Sequence, residues 1–333
     1  MSLPNTFIKR NRYRKGDYPL KGILVTGGCG YVGSSLVPKL VELGYFVRVV
    51  DTQWFGNFLR TREHLEIIKK PVEAIDANDF RNIDHVVHLA NIANDPGVEL
   101  NPVLSWEINT LHLTQLLNLC RKQEIEKFIY ASSGSVYGVK NELKVTENLE
   151  LTPISVYNKT KMVAERIVSS FQPYFSVFNI RPATVCGFSP RMRLDVVVNM
   201  FVWQAFSRGK ITVLGGDQVR PNIHIHDMVR VYEHFLSNNE ITSGDYNAGF
   251  ENISIREIAT LIQKDFDVEV EYSPSNDPRS YRQDSSKLMS TGFRPEKNVS
   301  DAVSELWMKF QAKELIDDER WYTVKTMKSL GLG

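Results

Sequence analysis

The chain has 333 residues, with 40 Lys and Arg against 39 Asp and Glu, so its formal net charge is +1. That balance offers no basic surplus for nucleic acid and no acidic tail. No run approaches the roughly 18 apolar residues of a membrane span, and residues 1–20 carry charges where a secretory signal would be apolar. We therefore expect a cytoplasmic protein with neither nucleic acid nor a membrane as partner, built as one large domain or two unequal ones.

The cysteines and the first residues add two expectations. Cys29, Cys120 and Cys186 are odd in number and far apart, which favours reduced thiols over a disulfide framework or a zinc site. Residues 1–20 form an N-terminal extension with a basic stretch at residues 9–15. We interpret it as a loosely ordered terminus, with a subunit contact as the alternative.

Regular patterning begins at residue 21. GILVT and YFVRVVD are typical of buried strands, and the segment YVGSSLVPKLVEL between them is helix-like. A strand, a glycine turn, a helix and a second strand predict a right-handed crossover with parallel strands. The elements that follow are the strands PVEAID and DHVVHLA, the helix PVLSWEINTLHLTQLLNLCRK, the strand KFIYASS, the helix around Tyr157 and the strand FSVFNIRP. This alternation predicts an α/β fold with a doubly wound parallel sheet over residues 21–182.

The rhythm changes after residue 182. Loops and mixed short elements surround isolated helices such as VVVNMFVWQAFSRG and SIREIATLIQKDF. We expect residues 183–333 to form mainly a smaller C-terminal substrate-binding cap, with some segments returning to the main sheet.

The turn TGGCGYVG directly follows the first strand and places glycines at Gly27, Gly30 and Gly33. Glycines let a backbone turn sharply and approach a pyrophosphate, while the helix behind them directs its amide dipoles at the negative charge. Asp51 ends the next strand, about twenty residues on, as in dinucleotide-binding Rossmann units. A carboxylate there accepts hydrogen bonds from ribose hydroxyls and repels a 2′-phosphate, which favours NAD over NADP. Arg48 lies inside that strand, where we expect it to face solvent.

The segment YNKTK places Tyr157 and Lys161 four residues apart, one turn along the same helix face. Alone, this spacing is usual for a surface pair. Together with the glycine turn, HLAN, SSGSVYG and RPATVCG in this order, it resembles the extended short-chain dehydrogenase/reductase family, in its nucleotide-sugar epimerase and dehydratase branch. The resemblance spans roughly residues 21–315.

The resemblance implies a catalytic set of Ser133, Tyr157 and Lys161. Tyr157 would be the general acid and base, while Lys161 would bind the nicotinamide ribose and lower the pKa of the tyrosine. A free phenol titrates near pH 10, so a base that works near neutrality needs a cation beside it. Ser133 would share the substrate proton, with Ser132 and Ser135 as alternatives for that role.

The resemblance also implies ligands for both small molecules. On the NAD side it assigns Gly27, Gly30, Tyr31, Val32, Gly33, Asp51, Asp76, Ala77, Leu89, Ala90, Tyr157 and Lys161. Asp76, at the end of the predicted third strand, would receive the adenine amino group, and Ala90 would let the cofactor pass close to the backbone. Asn109 matches a polar residue on the long helix behind the active site, with a helix-interior hydrogen bond as the alternative.

On the substrate side the resemblance assigns Ser133, Thr184, Arg191, Arg193, Val213, Arg220 and Arg279. Arg220 and Arg279 match two arginines that hold a substrate diphosphate, to which a planar guanidinium fork is suited. His224 and His226 fall on a predicted strand and would point to opposite faces, so we expect no metal site there.

The residues beside Ser133 narrow the reaction. Nucleotide-sugar dehydratases carry an acid pair at the positions held here by Gly134 and Ser135. We therefore expect oxidation at carbon 4 of a nucleotide-diphosphate sugar, as in a 4-epimerase with a transient keto intermediate. A 4-dehydrogenase that releases the keto sugar is the alternative, and a non-catalytic NAD-binding relative is a third reading. The helices at residues 102–122 and 156–171 match those that pair in relatives, which favours a homodimer.

Overall fold

The computed structural model describes residues 21–275 and 280–333. The predictions for residues 1–20 and for Arg279 fall outside these ranges. The strands are β1 (Gly22–Thr26), β2 (Phe46–Asp51), β3 (Leu65–Lys69), β4 (His85–His88), β5 (Lys127–Ala131), β6 (Ser176–Pro182), β7 (Thr184–Cys186), β8 (Lys210–Leu214), β9 (Val219–His224), β10 (Gly244–Ala248), β11 (Glu251–Ser254) and β12 (Glu269–Ser273). The α-helices are α1 (Gly33–Glu42), α2 (Asp95–Leu100), α3 (Pro102–Trp106), α4 (His112–Lys122), α5 (Val156–Ser169), α6 (Val197–Arg208), α7 (Ile225–Ser237), α8 (Ile255–Asp265), α9 (Ser286–Ser290), α10 (Val299–Gln311) and α11 (Thr323–Ser329).

Seven strands form one parallel sheet in the order β10-β6-β5-β4-β1-β2-β3. β1 pairs in parallel with β2 on one side and with β4 on the other, so the chain builds the sheet outward in both directions from β1. Such a reversal leaves a crevice at the carboxyl ends of the two strands, where ligands bind. The predicted doubly wound α/β fold is confirmed, and the crevice lies between the ends of β1 and β4.

The central strands are buried on both faces, as their continuous apolar runs predict. Ile23 and Val25 of β1 pack in the core layer that contains α1 and α7. Leu24 points the other way, into the layer that Leu116 of α4 and Val168 of α5 help to form. The parallel pairing of β1 with β4 and of β4 with β5 places their carboxyl ends at one edge of the sheet, and the two helix layers pack the strands from both faces.

Two strands differ from the sequence-based expectation. The prediction of a third strand at residues 71–76 is wrong: that stretch contains a 3-10 turn, Val72–Ala74, and the third strand is Leu65–Lys69. Pro71 lacks the N–H that a sheet ladder needs, whereas β3 pairs with β2 in full register. β10, the last strand of the main sheet in chain order, has the sequence GDYNA, which lacks the apolar pattern of a buried strand.

The predicted helix at residues 102–122 is also interrupted. It consists of α3, a π-helical turn at Glu107–Leu111, and α4. A π turn inserts an extra residue per turn and often lies beside a functional site.

Most of the chain after residue 182 forms a second layer over the edge of the main sheet. β7, β9 and β11 form a three-stranded sheet, β8 and β12 form a parallel pair, and α6, α8 and α10 pack around a shared apolar core. β10 and α7 instead belong to the main sheet and its helix layer. None of the described helices is both long and apolar enough to cross a membrane.

Candidate active site

A cavity of about 820 Å³ opens at the carboxyl ends of β1, β4, β5 and β6 and continues beneath the cap. It is lined by the glycine turn, the strand ends, α5, the cap and α11, including Gly27, Gly30, Tyr31, Val32, Gly33, Leu89, Ser133, Tyr157, Lys161, Thr184, Arg191, Arg193, Arg220, Thr323 and Met327. The structure thus brings most of the predicted site residues to one place.

The glycine turn is closely packed at two of its glycines. Gly27 has a φ of +72°, and a Cβ added there would lie 2.5 Å from the backbone nitrogen of Ala90. A Cβ at Gly33 would lie 2.6 Å from the Cα of Gly28. Both distances are impossible for real side chains, so the turn can be formed only by glycine, and its backbone is left open to the cavity. α1 begins at Gly33, so the positive end of its dipole lies beside this turn.

Asp51 ends β2 beside this turn. Its carboxylate accepts hydrogen bonds from the backbone N–H of Cys29, at 2.9 Å, and of Gln53, at 2.6 Å. Burial raises its pKa, although these hydrogen bonds and the charge of Arg191 act in the opposite direction. The backbone therefore holds the carboxylate in place beside the glycine turn, and its contact with the adenosine ribose stays a prediction.

Arg48 does not face solvent, and that expectation is wrong. It is 6 % exposed; its Nε donates to Glu66, and one terminal nitrogen donates to the carbonyls of Asp79 and Arg81. A guanidinium engaged in this way is not available to a 2′-phosphate, which leaves the NAD preference of Asp51 unopposed.

Helix α5 positions the tyrosine and lysine. The Ser155 hydroxyl caps its start by accepting from the backbone N–H of Asn158, so Tyr157 lies in the first turn and Lys161 one turn later. The Lys161 Nζ donates to the carbonyl of Ala131 at 2.5 Å and lies 5.9 Å from the centroid of the Tyr157 ring. Both side chains line the cavity.

The pKa values of this pair differ from the expectation. Burial raises the pKa of Tyr157 to about 12, against the lowering effects of a hydrogen bond with Ser133 and the charge of Arg193. Burial also lowers the pKa of Lys161 to about 7, although Glu165 raises it. The cation that lowers the Tyr157 pKa here is Arg193 of the cap; the ammonium of Lys161 is directed at a backbone carbonyl instead.

The serines at the end of β5 have separate tasks. Ser132 donates to Glu165 at 2.5 Å, and Arg181 grips the same carboxylate through two hydrogen bonds of 2.9 and 2.8 Å. Ser133 shares a 2.7 Å hydrogen bond with Ser135, and hydrogen bonding with Ser133 acts to lower the pKa of Tyr157. Ser132 is thus part of a buried network, and the geometry favours Ser133 as the hydroxyl beside Tyr157.

Comparisons with known proteins agree with this geometry. A model of the NAD-dependent epimerase/dehydratase family matches residues 23–249. The chain belongs to this family. UDP-glucose 4-epimerase of Lactobacillus helveticus is 25% identical over 86% of the chain and 96% of that protein. UDP-glucuronic acid decarboxylase 1 of Arabidopsis thaliana is 28% identical over 89% of the chain and 71% of that protein.

The solved structures point to the same family. The structure of MoeE5 in complex with UDP-glucuronic acid and NAD is 25% identical, covers 88% of the chain and 100% of MoeE5, and has a TM-score of 0.78. The resemblance noted in the sequence is confirmed, and the cofactor is NAD. The epimerase/dehydratase site here fits NAD because its glycine turn, too closely packed for any Cβ at Gly27 or Gly33, brings bare backbone to the cavity, and the Asp51 carboxylate is held beside that turn.

Three predicted ligands lie elsewhere than expected. Asp76 and Ala77 lie in an exposed 3-10 turn, where the Asp76 carboxylate accepts from the backbone N–H of Asn78. Their contact with the cofactor stays a prediction. Val213 is fully buried in the cap core, because residues alternate along β8; its neighbours Thr212 and Leu214 line the cavity instead.

The reasoning about the two histidines also needs correction. His224 ends β9, but His226 lies in the first turn of α7, so the two do not share a strand. His226, Asp227 and Glu296 place one potential ligand atom each within 4.8 Å of one another. The Asp227 oxygens already accept the backbone N–H groups of Glu296 and Lys297 and a bond from Arg230, so they are structural acceptors.

Sequence reasoning missed several residues of this epimerase/dehydratase cavity. Asp95, Asp195, Thr323 and Met327 line it. The Asp195 carboxylate accepts from Arg193 Nε at 2.8 Å and from the backbone N–H of Thr323 at 2.9 Å, which ties the C-terminal helix to the cap. Burial raises the pKa of Asp195, but Arg193 and Thr323 outweigh it and lower the pKa to about 2.

Asn109 supports the cavity from behind. It lies in the π-helical turn, accepts from the backbone N–H of Ile92 at 2.9 Å, and donates to the Ile92 carbonyl and to Thr160 of α5 at 3.2 Å. It therefore joins the cavity loop after β4 to the helix that carries Tyr157. The three cysteines are buried and free, as predicted.

Proposed function

We propose that the protein oxidises carbon 4 of a nucleotide-diphosphate hexose and returns the hydride to the other face, as a 4-epimerase. The observation that carries this proposal is the Ser133–Tyr157 hydroxyl pair beside Lys161, in a cavity that also fits a dinucleotide. A secondary alcohol placed there meets a proton acceptor next to the hydride acceptor.

The surroundings of Gly134 favour this reaction over a dehydration. A Cβ at residue 134 would lie 3.2 Å from both the Gln283 Oε1 and the Pro182 carbonyl, so an acidic side chain there requires its neighbours to move. Of the residues that the structure describes, two carboxylates line the cavity, but Asp95 accepts from Ser155 and Asp195 is paired with Arg193. These contacts support a reaction that needs only hydride and proton transfer.

The protein groups would act on the proton. Ser133 orients the carbon-4 hydroxyl, and the Tyr157 oxygen takes its proton, helped by the positive charge of Arg193. Bound NAD would supply the hydride acceptor, and its reduced form the donor, for the carbon-4 centre. Lys161 would bind the nicotinamide ribose. A ligand oxygen that accepts a hydrogen bond from Lys161 would favour its ammonium form, and this positive charge would lie close to Tyr157. Return of the proton from Tyr157 completes the inversion.

The nucleotide end would lie beneath the cap. Arg220 and Thr184 line the cavity there, and Arg220 has the planar fork that suits a diphosphate. Because MoeE5 binds UDP-glucuronic acid, UDP-sugars are the first substrates to try. We also propose that the protein is cytoplasmic and that residues 183–333 form mainly the substrate-binding cap, apart from the segments that return to the main sheet. We propose a homodimer as well, because Val103 and Leu111, on the helices expected to pair, are 69 % and 60 % exposed.

The test is product analysis by NMR after incubation with NAD and UDP-glucose, UDP-galactose, UDP-N-acetylglucosamine or UDP-glucuronic acid. We expect inversion at carbon 4 without accumulation of NADH. Accumulated NADH with a released keto sugar would instead establish the 4-dehydrogenase, and loss of carbon dioxide would establish a decarboxylase. Bound NAD with no conversion of any sugar nucleotide would support the non-catalytic reading.

A further inference from the structure

Arg191 contacts the side of the cavity that carries the glycine turn. It lies in the loop between β7 and α6, is 3 % exposed, and places its guanidinium carbon 4.1 Å from the centroid of the Phe55 ring. Phe55 follows Asp51 in the chain, and the charges of Asp51 and Arg191 act on each other. These contacts place Arg191 beside the glycine turn; Arg193 is near enough for its charge to lower the pKa of Arg191, and the same charge lowers the pKa of Tyr157.

The buried cation is incompletely satisfied. Among the described residues, the Nε of Arg191 has no hydrogen-bond partner. Burying a charge without hydrogen bonds is unfavourable, so such groups are kept where a ligand completes them. Burial lowers the pKa of Arg191 to about 9, which still leaves it positively charged at neutral pH. An anion is the ligand that this arrangement suits.

A set of hydrogen bonds fixes the Arg191 loop to the phosphate-binding turn. Ser189 donates to the Tyr31 carbonyl at 2.6 Å, and its hydroxyl lies 2.8 Å from the hydroxyls of Ser34 and Ser35. The backbone N–H of Arg191 donates to Ser34 at 3.1 Å. We call this the serine latch, comprising Ser34, Ser35 and Ser189. Since Ser34 and Ser35 belong to the first turn of α1, the latch holds Arg191 next to that helix start.

We infer that Arg191 binds the pyrophosphate of NAD and is not, as the sequence had suggested, a ligand of the sugar nucleotide. The guanidinium and the N-terminus of α1 approach the same anion, one from the cap loop and the other from the sheet. In the RMR segment, Arg191 would then contact NAD and Arg193 the sugar nucleotide, and the fully buried Met192 lies between them in the chain. The cap thus contributes directly to cofactor binding.

The test compares Arg191→Met with Arg193→Met, a matched change two residues away. Methionine keeps apolar contact with Phe55 and removes the charge. Dissociation constants for NAD and for UDP are measured by calorimetry on nucleotide-free protein, so no turnover is required. We expect Arg191→Met to weaken NAD binding roughly ten- to hundredfold and UDP binding less than about twofold. Arg193→Met should leave NAD binding within about twofold.

Two further measurements keep the inference open to refutation. ADP-ribose contains the pyrophosphate and adenosine does not, so Arg191→Met should weaken the first ligand and spare the second. Arg191→Lys keeps the charge without the planar fork, so its NAD affinity should fall between those of wild type and Arg191→Met. This variant replaces Arg191→Met in the comparison if the methionine variant does not fold. Unchanged NAD affinity, or an equal loss for UDP or for adenosine, would overturn the assignment. Failure of the epimerase proposal would leave these binding results unaffected.

Discussion

Replacing Asp195 by asparagine tests the link between the cap, the C-terminal helix and the active site. The carboxylate accepts from Arg193 and from the start of α11, and its pKa falls from 3.8 to about 2. Lowering the pKa by this amount means that the folded protein stabilises the charged carboxylate by about 2 kcal/mol relative to the unfolded chain. Because the folded state lowers this pKa, the contribution is complete above about pH 5 and is lost as the pH falls through the folded value.

We therefore expect Asp195→Asn to lower the free energy of unfolding by about 2 kcal/mol at pH 7 and by roughly half as much at pH 3. The assay is urea unfolding of both proteins at both pH values, followed by tryptophan fluorescence. Asp217→Asn is the control, since Asp217 is 91 % exposed and pairs with a half-exposed Arg256; no change is expected. A deficit that is equal at pH 7 and pH 3 would show that the charge of Asp195 is not the source of its stabilising effect.

Three other changes probe the catalytic group, the cavity wall and the oligomer. Tyr157→Phe removes the proton acceptor and should lower epimerisation at least about a hundredfold while NAD affinity stays within about twofold; an active variant would refute the role. Met327→Ala deletes a 1 % exposed side chain packed with Ile92 and Val98 and should lower stability by about 2–5 kcal/mol in thermal or urea unfolding, whereas Met308→Ala, at a 61 % exposed site, should not. Leu111→Arg should shift the sedimentation coefficient of the proposed dimer to that of a monomer, and Leu143→Arg, at another exposed leucine, should leave it unchanged.

Elements with strong local patterns could be predicted from the sequence. The apolar run of β1, the glycines that follow it and the carboxylate that ends β2 all lie within one crossover unit, where spacing along the chain sets spacing in space. Tyr157 and Lys161 are neighbours on one helix turn for the same reason. The third strand was misplaced because LEIIK is short and weakly patterned, and only its pairing with β2 makes it a strand.

The sequence pattern could not predict the environments of individual side chains. Arg48 is polar in sequence yet buried, because Glu66 and two carbonyls from a distant turn satisfy its guanidinium. Val213 faces the cap core, since the pairing of β8 with β12 determines which face of the strand meets the cavity.

The sequence by itself determined the fold class and the cofactor and predicted the reacting pair, because those features depend on residues close together in the chain. Only the tertiary structure decided that Arg191 lies with Asp51, that Arg193 acts on Tyr157, and that α11 closes the cavity wall. These contacts join different elements of the chain, two of them across more than a hundred residues, and no spacing within one element specifies them. They arise because the cap loop is latched to α1 while Asp195 tethers the C-terminal helix.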